Sequence, residues 1–173
     1  MVLEEPVRSF FQVTGAVDMK IRFLVLMLCY QTSMAVASPY PFELTVDDLF
    51  TKSDSTNDTT YSSIALVRCS ALLFFVNELM KRDAGQDLYG KKPIELSNLA
   101  TKLQLVKLAE RGAGAGEEAY QRILEGTLSD FEVYVERYSD RMTENRLQTG
   151  DYFSNDQKMK SEIATCGQLI SEL

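Results

Sequence analysis

Residues 60–82 decide the fold, and they read TYSSIALVRCSALLFFVNELMKR. This stretch is long enough for about six turns of α-helix. Its apolar residues cover more than one stripe of a helical surface, and they are Ile64, Leu66, Val67, Ala71, Leu72, Phe74, Phe75, Leu79 and Met80. A helix that is apolar on most of its sides is typical of a protein interior. The pattern therefore predicts a central, mostly buried helix.

On the C-terminal side, the spacing of apolar residues predicts further amphipathic helices. One begins near Pro93 and ends near Arg111, and its apolar side is formed by Leu96, Leu99, Leu103 and Val106. The glycine-rich residues 112–116 follow it. We interpret them as a hinge, because the acidic residues directly after them would repel the anion that a phosphate-binding loop holds.

Two more segments complete the predicted helical domain. A helix over residues 117–124 is followed by Thr127 or Ser129 as the cap of a helix from about Leu128 to Leu147. The apolar side of that helix comprises Leu128, Phe131, Tyr134, Val135, Tyr138 and Met142. The last helix spans about 154–172, with an apolar side formed by Met159, Ile163, Cys166, Leu169 and Ile170.

The predicted fold class is all-α, an antiparallel four-helix-bundle-like domain over residues 61–173 with a short N-terminal helix. Residues 38–60 are predicted to hold an extended segment, then a short helix capped by Thr45 that ends near Lys52, and then an exposed polar loop from Ser53 to Thr60. The low content of glycine (9) and proline (4) also favours helices over a turn-rich β domain.

Residues 19–37 have the three-part organisation of a secretory signal peptide. Lys20 and Arg22 precede a short apolar run over residues 23–30, and a small-x-small cleavage site follows, made by Ala35, Ala37 and Ser38. This run is too short to span a bilayer, so no stable membrane span is expected after cleavage. The protein is therefore expected to be exported, to the periplasm or to the medium.

Residues 1–18 precede the positively charged start of this signal and contain three acidic residues. We interpret them as an upstream extension, with Met19 as the biological start. The alternative is that the whole N-terminal segment is a buried helix of a cytosolic protein.

Cleavage after residue 37 would remove Cys29 and leave Cys69 and Cys166. An even number of cysteines in an exported protein predicts a disulfide between them. In an antiparallel bundle, the first and last helices would bring the two residues to similar heights. The alternative is two separate buried thiols. Arg68, next to Cys69, is assigned to a surface or helix-pairing position.

Charge and composition exclude several classes of function. With 25 acidic and 18 basic residues, the formal net charge is −7, which argues against binding to nucleic acid through phosphate contacts. The chain has no histidine, so a catalytic triad, a histidine zinc site and a histidine-ligated haem cannot form within it. No cofactor, metal site or catalytic residue is predicted.

One helix carries a regular series of acidic side chains, which we call the acidic ridge: Glu132, Glu136, Asp140 and Glu144. Arg137 and Arg141 each stand three residues before one of these acids, at helical ion-pair spacing. The ridge is interpreted either as a contact site for a basic partner or divalent cations, or as a face exposed only to water.

The function predicted from these features is that of a small exported binding or accessory module, which contacts an unidentified protein in the envelope or extracellular space. The alternatives are a carrier of a ligand or metal in the bundle core, or an exported hydrolase using carboxylates or a serine with lysine. A secreted, cytokine-like signalling protein with four helices is a further alternative. It is indicated only by the glycosylation triplet at residues 57–59.

Overall fold

The computed structural model describes residues 42–114 and 116–173, which form five α-helices and no strand. The helices are α1 (Val46–Thr56), α2 (Thr59–Ala84), α3 (Lys92–Glu110), α4 (Glu117–Thr149) and α5 (Gln157–Ser171). The all-α prediction is confirmed, whereas the antiparallel bundle order stays a prediction. The predicted signal peptide and its cleavage residues Ala35, Ala37 and Ser38 lie outside the described residues.

Helix α2 is the central element, as its apolar pattern predicts. It packs against each of the other four helices. Both sides of α2 contribute to the core, and its residues from Ser63 to Leu73 are all buried. By length and composition alone α2 could cross a membrane, but 78% of its apolar window is buried inside the protein, which is typical of a core helix.

The prediction of an exposed polar loop from Ser53 to Thr60 is wrong. Helix α1 continues to Thr56, and α2 begins only three residues later. The hydroxyl of Thr56 donates to the carbonyl of Lys52 within the helix, and the buried hydroxyl of Ser53 donates to the carbonyl of residue 58. Polar side chains that bond to backbone carbonyls in this way are compatible with a helix, although they resemble a loop in the sequence.

Helix α4 is continuous through Gly126, whereas the sequence predicts a break and a new cap at Thr127 or Ser129. Thr127 is buried, and its hydroxyl accepts a hydrogen bond from Thr101 of α3 at 3.3 Å. Packing against α3 therefore holds a helical turn that glycine alone would weaken. Leu128, predicted to face the core, is 49% exposed.

The predicted apolar side of α3 is buried only in part, because Leu96 and Leu103 contact the core. Leu96 is buried as predicted, but Leu99 and Val106 are exposed. Helix α3 also turns Ser97, Ala100 and Thr101 towards its neighbours. Small side chains let helices approach closely, so the interface uses them together with Leu96 and Leu103.

Hydroxyl groups along this interface form a seam between α2, α3 and α4. The Ser97 hydroxyl donates to the Ser70 hydroxyl at 2.6 Å, and the Ser70 hydroxyl donates to the carbonyl of Pro93 at 2.5 Å. On the same side, Gln104 donates to the Ser63 hydroxyl at 2.8 Å. Each buried hydroxyl therefore has a partner, as a protein interior requires.

Candidate functional site

The predicted disulfide is present. Cys69 of α2 and Cys166 of α5 are bonded, with their Cα atoms 5.2 Å apart and both side chains fully buried. The bond lies among Ala65, Leu72 and Leu73, which are buried as well. The cysteines therefore connect the central helix to the last one inside the core, where neither sulfur is accessible to a substrate.

An ion pair lies beside the disulfide, and sequence reasoning missed it. Arg68 is 1% exposed, and its Nη2 atom donates to Glu162 of α5 at 2.8 Å. The prediction of a surface or helix-pairing position for Arg68 is therefore wrong as to the surface, because this guanidinium is inside the core. Glu162 precedes Cys166 by one helical turn, so the ion pair and the disulfide join the same two helices.

A tyrosine and the start of the described chain complete the surroundings of Arg68. The hydroxyl of Tyr138 on α4 donates to Glu162 at 2.7 Å. The Nη1 atom of Arg68 donates to the carbonyl of Leu44 at 2.6 Å, and the ring of Phe42 lies 4.7 Å from the guanidinium carbon. A cation over an aromatic face is favourable, more so away from water.

The electrostatics of this cluster favour a structural role. Burial, together with the neighbouring charge of Glu162, raises the pKa of the Tyr138 hydroxyl well above its usual range, so that Tyr138 remains a neutral donor. Arg68, Tyr138 and Glu162 are all closed off from solvent. A substrate could not reach them without opening the core.

The four residues of the acidic ridge are all exposed on α4. None of them forms an ion pair with another residue in the described ranges. The arginines at helical spacing have other contacts: Arg141 binds the carboxylate of Asp156 at the start of α5, and Arg137 lies 5.7 Å from the ring of Phe42. Within the part of the chain that the structure describes, the ridge therefore presents carboxylates that form no ion pair.

An apolar groove lies between α3 and α4, and it has a volume of about 230 Å³. Its lining includes Phe74, Ile94, Thr101, Leu124, Leu128 and Phe131. Two of these side chains are open to solvent, with Ile94 53% and Leu128 49% exposed. Glu132, the first residue of the acidic ridge, follows Leu128 by four positions and therefore stands next to it on α4.

Among the residues that the structure describes, no group of three or more Cys, Asp and Glu side chains is arranged to hold a metal ion. The divalent-cation interpretation of the acidic ridge has no geometric support there. The chain matches no known protein family, and no curated protein and no solved structure matches it either.

Proposed function

We propose that this protein is an exported, disulfide-stabilised helical binding module that acts by contact with another protein. Export is supported by the signal-like residues 19–37 and by the buried bond between Cys69 and Cys166, since such bonds persist in oxidising compartments. The observation that carries the binding role is the apolar groove, whose residues Ile94 and Leu128 are open to solvent next to charged side chains.

The groove and the ridge together indicate the chemistry of the partner. An amphipathic helix can place its apolar side in a groove of this kind. Its polar side would then face Glu132 and Glu136, because the ridge begins beside Leu128. The partner segment is therefore a basic amphipathic helix, displayed by a protein of the envelope or the extracellular space.

Site-specific crosslinking in cells that produce the full chain tests the contact. A photoreactive residue is placed at Ile94 or at Leu128, and the control is Leu147, which is on α4, outside the groove, and 83% exposed. We expect crosslinks from the two groove positions to one partner, through a segment that mass spectrometry shows to be basic with apolar residues three and four apart. Equal crosslinking from Leu147, or an acidic captured segment, would contradict the proposal.

The charge component is tested with the same partner segment as a synthetic peptide. Glu132→Gln is expected to weaken its binding about tenfold, a loss of ~1.4 kcal/mol. Glu110→Gln serves as the control, because this exposed glutamate of α3 lines neither the groove nor the ridge and forms no ion pair with the described residues. The same loss in both variants would mean that net charge, rather than the ridge, attracts the peptide.

Export is tested separately, by the intact mass of the protein recovered from its host with and without reduction. We expect a mass that starts at Ser38 and lacks two hydrogen atoms before reduction. A full-length mass with free thiols would show that the protein is not exported, whatever it binds.

A further inference from the structure

A second cleft lies where the C-terminal half of α3 meets the first turns of α2 and α4. Its volume is about 380 Å³, and it is separate from the apolar groove, since the two share no lining residue. This volume falls in the range of pockets that bind small molecules.

Cations are concentrated in this cleft although the chain as a whole is acidic. Lys107, Arg111 and Arg122 all line it. Lys107 is held by the carboxylate of Asp58 and the hydroxyl of Thr60, so its charge is already partnered. The cleft therefore gathers positive charge around a concave surface in a protein whose net charge is negative.

The two arginines remain available to a ligand. Arg111 forms no ion pair with any residue in the described ranges. Arg122 contacts Glu118 at 3.2 Å, but the two side chains are 74% and 93% exposed. An ion pair so open to water contributes little to stability, so Arg122 can exchange Glu118 for a ligand anion.

The wall of the cleft beside these arginines is apolar. It is formed by Ile64 of α2, Leu108 of α3 and Ile123 of α4. Ile64 is buried, while Leu108 and Ile123 are partly exposed. A ligand that covered this wall would remove apolar surface from water, which is favourable.

Asp130 limits the charge that a ligand can carry. It also lines the cleft, about two helical turns along α4 from Ile123, which corresponds to ~10 Å. Asp130 is half-buried, and burial raises the pKa of its carboxyl group. The raised pKa shows that burial disfavours a negative charge at this end of the cleft. A second anionic group would not be stabilised there, so the ligand has one anionic end and an apolar body.

We propose that this cleft binds an amphiphile with one anionic headgroup, a carboxylate or a phosphate. The headgroup lies between Arg111 and Arg122, and the apolar tail lies along Ile64, Leu108 and Ile123. The planar guanidinium group can donate two parallel hydrogen bonds to a pair of oxygen atoms of either headgroup. The proposal is independent of the contact at the apolar groove, because the two sites have no residue in common.

Calorimetric titration of the full oxidised protein with octanoate, octyl phosphate and 1-octanol tests the site. We expect saturable binding of at least one anionic probe, at least tenfold tighter than that of octanol and weakened by added salt. The ratio between octanoate and octyl phosphate distinguishes a fatty-acid ligand from a phosphate amphiphile. Equal binding of octanol and both anions, or no saturable binding of either anion, would overturn the proposal.

Substitutions locate the binding. Arg111→Gln and Arg122→Gln are each expected to weaken binding of the anionic probe about tenfold without changing the circular dichroism spectrum. The control is Lys102→Gln, which removes the same charge from an exposed position of α3 outside the cleft. If Lys102→Gln weakens binding as much as Arg111→Gln does, the attraction is general and the cleft is not the site.

Discussion

Arg68 is a buried cation whose partners come from distant parts of the chain. It reaches the carbonyl of Leu44 on one side and Glu162, 94 residues along the chain, on the other. Its Nε atom is buried and has no hydrogen-bond partner within the described ranges. Removing one charge of this buried ion pair lowers stability strongly, because the remaining charge cannot be hydrated.

Removing the carboxylate of this pair should destabilise the protein strongly. Glu162→Gln preserves the shape of the side chain but leaves Arg68 charged, and we expect a loss of about 3–5 kcal/mol in the free energy of unfolding. Denaturant titration measures it. The control is Glu78→Gln, because Glu78 pairs with Lys81 on the surface and should cost less than about 1 kcal/mol. Similar costs for the two variants would contradict the structural role assigned to the buried pair.

The ion pair between Asp58 and Lys107 affects the stability of the fold at acidic pH. Hydrogen bonds from Lys107 and from Thr60 lower the pKa of Asp58 in the folded protein below its ordinary value of about 4. A carboxyl group with a lowered folded-state pKa stabilises the fold above its unfolded pKa, and this stability is lost as the pH falls through the folded-state pKa. Lys107→Met should therefore lose less stability on acidification below about pH 4 than the unmodified protein does.

Thermal unfolding midpoints across this pH range measure the difference. Lys102→Met is the control, since this exposed lysine is also on α3 and forms no ion pair with the described residues. It should follow the acid response of the unmodified protein. If Lys107→Met does so too, the bond to Asp58 has no role in acid stability.

At the scale of the elements, α4 offers a direct test of its continuity. Gly126 lies within the helix, where an added Cβ would meet no atom within 4 Å. Gly126→Ala should stabilise the protein by about 0.5–1 kcal/mol, because alanine loses less backbone entropy in a helix. Denaturant unfolding measures the change.

The matched control for this prediction is Gly150, which ends α4 with a φ of 80°. Gly150→Ala should destabilise the protein by about 1–2 kcal/mol, because a side chain disfavours the left-handed conformation. A loss of stability in Gly126→Ala as well would indicate that α4 bends or breaks at residue 126.

The elements also show what periodicity can predict. Thr45 is the N-cap of α1, with a complete capping box to Asp48, and the pattern of α2 correctly predicts its burial. These features depend on residues close together in the sequence. The break predicted at Thr127 is wrong, because the partner that holds this turn, Thr101, lies on another helix.

The burial of the polar groups could not be predicted from the sequence either, because their partners also lie on other helices. Serine and arginine are usually exposed, and only a partner on a neighbouring helix reveals that Ser70 or Arg68 is inside. One signal was available for the ion pair. Glu162 stands one turn before Cys166, so a disulfide to Cys69 would bring that carboxylate towards the adjacent Arg68. The groove and the cationic cleft had no such signal, because concave surfaces arise from the packing of separate helices.

At the scale of the whole molecule, the disulfide closes a loop with a sequence separation of 97 between α2 and α5. Loop-closure entropy predicts that the double variant Cys69→Ser, Cys166→Ser loses about 4–5 kcal/mol of unfolding free energy, as an upper value. Denaturant titration of this variant against the oxidised protein measures the loss. The control is the unmodified protein with its disulfide reduced, which loses the cross-link without a change of sequence and should lose a similar amount of unfolding free energy. A loss below about 1 kcal/mol would show that the disulfide does not reduce the conformational entropy of the unfolded chain as expected.

The position of this bond in the sequence also determines when it can form. Cys69 precedes Cys166 by 97 positions, so it is synthesised before its partner. Its thiol must therefore remain unreacted until Cys166 has been synthesised. The residues of α3 and α4 precede α5 in the chain, so the partners of their hydroxyl seam with α2 are all synthesised before Cys166. Until α5 arrives, Arg68 also lacks its carboxylate. Placement of the last helix therefore supplies the carboxylate that pairs with Arg68 and the second thiol that an oxidant joins to Cys69. An oxidant acting earlier would meet Cys69 without its native partner.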